Sequence, residues 1–316
     1  MTVPIRRAYA VYDVFTSEAL KGNPVAVVYD TAGLENDEEA KQAFARWTNL
    51  SETVFIFPPT DSEADYRLEI FTPARRLPFA GHPTIGAANA WLDQGGHKPK
   101  RDGLLTQQCD IGLVKLKITS LKHGDEAAHR LFFAAPPFIQ EGEIEPELLR
   151  RICAGLNLDP EKDVLGARLI DNGPGWHGIH LKDASTVLDK VPPPSKIAWA
   201  ELGDKLNIGL VGEYEHTTPA NPGQARPTFE VRAIVNGEGQ FEDPVTGSLN
   251  AGIAKWLIAA GKAPAGGYIA SQGFHRKRAG FVHVETDQGA QDSKGTNGTI
   301  WVGGDAVRVV DGTLTI

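Results

Sequence analysis

Two short segments half a chain apart repeat one another, and this repeat limits the architectures open to the 316-residue sequence. Residues 79–90 read F-A-G-H-P-T-I-G-A-A-N-A, and residues 240–251 read Q-F-E-D-P-V-T-G-S-L-N-A. Pro83 pairs with Pro244, Gly86 with Gly247, Asn89 with Asn250 and Ala90 with Ala251, each 161 positions apart (244 − 83 = 161). Upstream, Glu69 falls opposite Glu230 at the same offset. Biased composition can generate such a match by chance. A duplicated architecture explains the offset better, because equivalent turns would then face each other across a cleft between two domains.

Patterning around the repeat outlines short strands and few helices. Ala8–Phe15, Pro24–Tyr29, Thr53–Phe57, Tyr66–Phe71 and Val114–Thr119 read as strands, the second following the turn signal Gly22-Asn23. Residues 35–48 follow a helical period, with acids early and an apolar stripe of Ala43, Phe44 and Trp47. Gly86–Leu92 is too rich in alanine for a strand and reads as a buried helix. From residue 123 the chain turns polar, the best candidate for a linker between domains at 1–122 and 123–316, with a last strand near 305–316 that can return to the first. Leu148–Leu156 and Gly247–Ala259 read as helices; Val164–Leu169, Gly178–Leu181, Thr228–Ile234 and the closing segments read as strands. Short strands around one small-residue helix in each half imply an α+β fold rather than a βαβ sheet.

Composition excludes several function classes. Thirty-two basic residues against 40 acidic ones give a formal charge of −8, and the one basic cluster, His275-Arg276-Lys277-Arg278, is too short to form a nucleic-acid surface. Two cysteines, Cys109 and Cys153, allow no disulfide framework or zinc cluster and suit a reducing, cytoplasmic setting. The stretch Met1–Arg7 lacks the apolar core of a signal peptide, and Ala251–Ala260, broken by Lys255, is too short to span a membrane.

Each copy of the repeat places Gly and Pro at the start of an apolar helix, where unpaired N–H groups and the positive end of the helix dipole favour an anion. A carboxylate or a developing enolate could be held there without any cofactor. The residue before each proline is His82 in the first copy and Asp243 in the second. The bland alternative is that Asp243 and Ser248 cap their helix and His82 is a satisfied turn residue. A third element is Asn49-Leu50-Ser51-Glu52, where Glu52 leads into an apolar strand. A carboxyl against apolar surface loses solvation and can take and return a proton near neutral pH; the bland alternative is an outward-facing strand glutamate.

These residues resemble a known family. Gly22-Asn23-Pro24-Val25-Ala26-Val27, Asn49-Leu50-Ser51-Glu52, Ile70-Phe71-Thr72-Pro73, Leu77-Pro78-Phe79-Ala80-Gly81-His82-Pro83-Thr84 and Glu242-Asp243-Pro244-Val245-Thr246-Gly247-Ser248 are similar to motifs of the PhzF-like phenazine biosynthesis family. The resemblance implies a diaminopimelate epimerase-like fold of two pseudo-symmetric domains, each a β-barrel around a central helix, with the site between them and a homodimeric assembly. It implies Glu52 as the proton-shuttling acid, His82 and Asp243 as polar residues contacting substrate, Gly81 as a backbone contact and Ser248 as a holder of the substrate carboxylate. Gly247 joins Gly81 and Ser248 in offering helix-start N–H groups to negative charge. The chain departs from the family at Arg75-Arg76, where an acid is usual, and at Phe274–Arg278, where a Gly-Arg pair is usual; the added positive charge would suit a more anionic substrate.

Other signals carry less. The thiol-pair racemases of that fold need a cysteine on each side of the substrate, and neither Cys109 nor Cys153 lies at the turns. Gly173-Pro-Gly175-Trp-His-Gly178 matches GxGxxG but leads into a strand, not a helix that could present its N-terminus to a dinucleotide. His177 and His180 fall on opposite faces of that strand, which disfavours a shared metal. Ser248 has Thr246 where a nucleophile elbow needs glycine. The leading expectation is a cofactor-independent isomerase acting on a small carboxylate; the competing one is a binding or regulatory protein on the same fold, without turnover.

Overall fold

In the computed structural model, residues 5–94, 97–123, 126–203, 205–215, 226–236, 239–287 and 298–316 are described. Contacts divide the chain into one unit of Met1–Ala134 with Gly303–Ile316 and a second of Ala135–Val302.

The first unit runs β1 (Arg6–Val14), β2 (Asn23–Val28), α1 (Glu38–Thr48), β3 (Glu52–Phe57), β4 (Tyr66–Phe71), β5 (Arg76–Leu77), α2 (Gly81–Asp93), β6 (Leu104–Cys109), β7 (Gly112–His123) and β8 (Glu126–Ala134). β1 pairs antiparallel with β2, β2 parallel with β3, and β3 antiparallel with β4. β4 then pairs antiparallel with β5 and parallel with β6, which pairs antiparallel with β7. Asp37 starts α1 by accepting from Ala40 N–H at 2.9 Å, and Asn49 ends it in the left-handed region, releasing the chain toward Glu52. Phe44 and Ala45 of α1 pack with Val28, Phe55, Phe57 and Phe71. Trp47, expected on that apolar stripe, is 79% exposed and stacks on Phe44 from outside.

α2 is buried from Gly81 to Trp91 and touches β1, β2, β3, β4, β6 and β8. Its small residues make this possible: a Cβ on Gly86 would stand 2.3 Å from Val25 Cγ1. The helix starts at Gly81, ahead of the expected Gly86. Pro83 does not stop it, because the first turn needs no N–H from that position.

The second unit runs β9 (Gln140–Glu143), α3 (Pro146–Gly155), β10 (Val164–Asp171), β11 (Trp176–Leu181), α4 (Trp199–Leu202), β12 (Leu206–Glu213), β13 (Phe229–Asn236), β14 (Phe241–Asp243), α5 (Gly247–Ala259), β15 (Gly267–Gln272), β16 (Gly280–Thr286) and β17 (Ile300–Gly304). β18 (Ala306–Thr315) then pairs antiparallel with β1. The pairing order of the first unit recurs. β10–β11 is antiparallel, β11–β12 parallel, β12–β13 and β13–β14 antiparallel, β13–β15 parallel and β15–β16 antiparallel. The fold is therefore mixed α+β, and each unit holds two parallel pairs bridged by helical crossovers, which strand patterning alone does not reveal.

The repeat is structural as well as sequential. Asn89 and Asn250 are both buried in their helices, and each donates Nδ2–H at 2.9 Å to the carbonyl four residues back, Ile85 or Thr246. A buried glutamine supports each helix start: Gln107 Nε2 donates to Thr84 Oγ1 at 3.1 Å, and Gln272 Nε2 to Thr246 Oγ1 at 3.0 Å. Glu69 and Glu230 are both buried on the equivalent strands β4 and β13. The polar segment from residue 123, read as a linker, falls between the paired strands β7 and β8, with His123 opposite Glu126; Gly124 and Asp125 lie outside the described residues, as do Met1–Pro4. Polar composition marks a hairpin turn as readily as a domain boundary, and the contact boundary falls later, after Ala134.

Candidate active site

In the first unit, α1, the turn at Asn49 and the parallel pairing of β3 with β2 set Glu52 at the head of its strand, opposite Val25. Glu52 is 15% exposed and its Oε2 lies 3.2 Å from His82 Nε2, whose side chain is 6% exposed. The alignment of the two atoms is looser than that of a hydrogen bond. On the other side of the ring, Asn23 Nδ2, from the first residue of β2, lies 3.4 Å from His82 Nδ1. Burial pushes the His82 pKa down to about 3, with a hydrogen bond to the Pro24 backbone acting weakly the other way, so the imidazole is neutral at physiological pH. The N-cap residue of α2 is Ala80, which offers no side-chain cap, and Gly81 and His82 open its first turn.

In the second unit, β14 delivers Asp243 to the turn before α5. Its Oδ2 accepts from Thr246 Oγ1 at 2.5 Å. α5 likewise has no side-chain cap; its N-cap is Thr246, whose N–H donates to Gln272 Oε1 at 3.0 Å. Ser248 sits in the first turn, and its hydroxyl accepts from Trp176 Nε1 at 3.0 Å while Asn172 Nδ2 donates to its carbonyl at 2.8 Å. Behind this turn, the fully buried Arg232 makes a two-point bridge to the equally buried Glu242, with Nη2–Oε2 at 2.9 Å and Nε–Oε1 at 3.2 Å. Arg232 also donates to the carbonyls of Val187, Val191 and Pro192, which leaves the chain carrying Asp243 firmly anchored.

The first unit thus brings together Glu52, His82 and Gly81, and the second brings together Asp243, Gly247 and Ser248. Sequence reasoning missed Asn23, Trp176 and Asn172. Asn23 opens β2 and Trp176 opens β11, strands at equivalent places in the two pairing orders, and each reaches a first-turn side chain of its unit's buried helix. Arg76, expected to add free positive charge, forks onto Asp110 at 2.7 and 2.9 Å and lies 3.6 Å from buried Glu69. It neutralises acids of its own unit. The basic segment after Gln272 turns at Gly273, where a Cβ would stand 2.9 Å from the Pro244 carbonyl, so this segment adjoins the turn before α5.

The set-aside signals behave as their local sequence suggests. Cys109 and Cys153 are free, buried thiols whose pKa values are raised by burial, Cys153 to about 11. The GxGxxG stretch leads into β11, and His180 is buried edge-on to Trp256 while His177 is partly exposed.

Known proteins place this arrangement in a class. A solved phenazine biosynthesis protein of the PhzF family from Bacillus anthracis superposes with a TM-score of 0.76 at 20% identity, covering 99% of this chain and 100% of that one. The fold is thus that of PhzF-type proteins. A family profile for phenazine biosynthesis-like protein, PhzC-PhzF, matches residues 12–312, and the chain belongs to that family. Antisense-enhancing sequence 1 of Schizosaccharomyces pombe is 33% identical over 95% of this chain and 96% of its own. An uncharacterized isomerase of Mesorhizobium japonicum is 34% identical over 98% and 99%. The trans-2,3-dihydro-3-hydroxyanthranilate isomerase of Pseudomonas aeruginosa is 50% identical over a shorter stretch, 26% of this chain and 28% of its own. The family is one of isomerase enzymes.

Proposed function

We propose that this protein is an isomerase that moves a proton within a small carboxylate-bearing substrate without a bound cofactor, with Glu52 as general acid and base. The observation that carries this reading is the largely enclosed Glu52 carboxyl 3.2 Å from the buried, neutral imidazole of His82. A carboxyl so placed can take a proton from carbon and return it at a second position, with little competing water. The neutral ring of His82 orients a polar substituent, and the Gly81 N–H at the uncapped start of α2 is available to developing negative charge. The start of α5 supplies the complementary function: Gly247 and Ser248 hold a carboxylate, and Asp243 orients a polar group beside it. A homodimeric assembly and a cytoplasmic setting belong to the same proposal, supported by the family likeness and by two free thiols.

The test is solvent exchange. The protein is incubated in deuterated water with small unsaturated carboxylic acids, beginning with trans-2,3-dihydro-3-hydroxyanthranilate, the compound in one relative's name. Deuterium should appear at carbon with wild-type protein and not with a folded Glu52→Gln variant. Equal incorporation by both would remove Glu52 from this role.

A further inference from the structure

The first turn of α5 holds a serine whose hydroxyl has one direction closed. Trp176, 3% exposed, donates its indole Nε1–H to Ser248 Oγ at 3.0 Å. An indole nitrogen can only donate, so the serine oxygen is the acceptor and its own proton must point elsewhere. Among the described residues no acceptor takes that proton. Asn172 fixes the same residue from the backbone side through its bond to the Ser248 carbonyl at 2.8 Å.

Both partners come from the turn that joins β10 to β11, and that turn is itself clamped. Asp171 Oδ1 accepts from the N–H groups of Gly173 at 2.7 Å and Gly175 at 2.8 Å. Asn207 Nδ2 donates to the Pro174 carbonyl at 2.6 Å. Gly173 and Gly175 adopt φ of +141° and +76°, conformations that side-chain-bearing residues rarely take. Trp176 is therefore aimed by its strand and by a turn with little freedom.

We propose that Trp176 is a positioning residue that makes Ser248 an obligate outward donor, so that the start of α5 receives an anionic acceptor. This rests on the reading of that helix start as the holder of the substrate carboxylate. A buried indole N–H also needs an acceptor simply to be satisfied, and a purely structural role for the contact must be separated from this one.

Benzoate serves as a minimal carboxylate probe. Titrated into ¹⁵N-labelled protein, it should shift the Trp176 indole N–H resonance saturably in wild type and leave it unmoved in Ser248→Ala; the resonance is assigned by its loss in Trp176→Phe. Trp176→Phe keeps an aromatic ring but removes the N–H together with the five-membered ring, and should weaken benzoate about three- to tenfold. The double variant should bind no more weakly than Ser248→Ala alone. An unresponsive indole resonance, unchanged affinity in Trp176→Phe, or losses that add in the double variant would each overturn the proposal. If Trp176→Phe does not fold, Trp176→Tyr takes its place both in assigning the resonance and in the affinity comparison. Glu52→Gln should bind benzoate normally, so failure of the proton-transfer reading and failure of this one give different results.

Discussion

The starts of α2 and α5 stand on the same strand framework yet carry different chemistry. In both units a buried glutamine holds a threonine of the helix-start segment, and an asparagine bonds back four residues inside the helix. On that shared frame, α2 carries His82 beside Glu52, whereas α5 carries Ser248 beside a turn that ends in Asp243. The sequence offset matches His82 with Asp243, but helix position matches it with Ser248, because α2 begins earlier in its copy of the repeat than α5 does. A duplicated scaffold has thus kept its supports, and the proposed function divides the labour, assigning proton movement to one start and the holding of charge to the other. Exchange kinetics break this comparison most sharply. Glu52→Gln should lower turnover by about 10²- to 10⁴-fold with substrate affinity retained, while Ser248→Ala should raise KM and leave kcat largely unchanged. The reverse split would show that the labour is divided the other way.

The buried charges differ in the same manner. Glu69 meets three cations, with Lys41 and Arg67 each at 2.5 Å and Arg76 at 3.6 Å, whereas among the described residues Glu242 pairs with Arg232. Arg232→Leu leaves Glu242 fully buried and strips the donors from three carbonyls, which should cost roughly 3–5 kcal/mol. Lys41→Met should cost clearly less, since two cations remain at Glu69. Urea denaturation of both variants measures the difference, and equal losses would mean that the shared pairing at Glu69 contributes nothing.

How much of this was legible in the sequence follows from what each residue depends on. The strands around Val25, Phe55 and Val231 announce themselves by apolar runs, and α5 by its small apolar stretch from Gly247 to Ala259, because burial against one neighbouring layer writes a local pattern. Glu52, His82, Asp243 and Ser248 are candidates that motif and repeat single out. The burial of Arg232, Lys41 and Glu69 was not legible: charged residues read as solvated, and only a partner elsewhere in the fold allows their burial. Asn23 and Trp176 act across strands on a helix, a contact with no periodic signature. Trp47 misled for the opposite reason, a large apolar residue at helical spacing that stays in solvent.

Proton linkage gives His82 and Glu230 opposite slopes. His82 has its pKa lowered to about 3, so between that value and 6.5 the unfolded chain binds the proton that the folded one refuses. Its contribution is complete above pH 6.5 and is lost as pH falls toward 3. Glu230 accepts from hydroxyls, of Tyr214 at 2.7 Å and of Ser271, and burial raises its pKa to about 7. Between 4.5 and 7 the folded chain keeps a proton that the unfolded one releases, so stability falls as pH rises through that window and stays low above it. Glu230→Gln should therefore stabilise the protein at pH 8 by up to about 3 kcal/mol and match wild type near pH 4. His82→Asn should flatten the acid limb instead. Stability measured from pH 4 to 8 in both variants checks the two signs, and a Glu230→Gln variant no more stable than wild type at pH 8 would remove the second.

The smallest expected effect lies where the units are most alike. Asn89 makes one side-chain bond within its helix, to Ile85, at 2.9 Å. Asn250 makes the equivalent bond to Thr246 at 2.9 Å and a second, to Gln272 Oε1, at 3.0 Å. That second bond ties α5 to the strand whose glutamine also receives the Thr246 N–H, so Asn250 supports the start that holds Ser248. Asn89→Ala should cost about 1 kcal/mol, and Asn250→Ala about 1 kcal/mol more. Thermal or urea unfolding of the two variants resolves a difference of that size. Equal costs would mean that the additional bond to Gln272 gives the α5 start no firmer footing than its counterpart, and that what distinguishes the two starts resides in the side chains they present and not in how they are held.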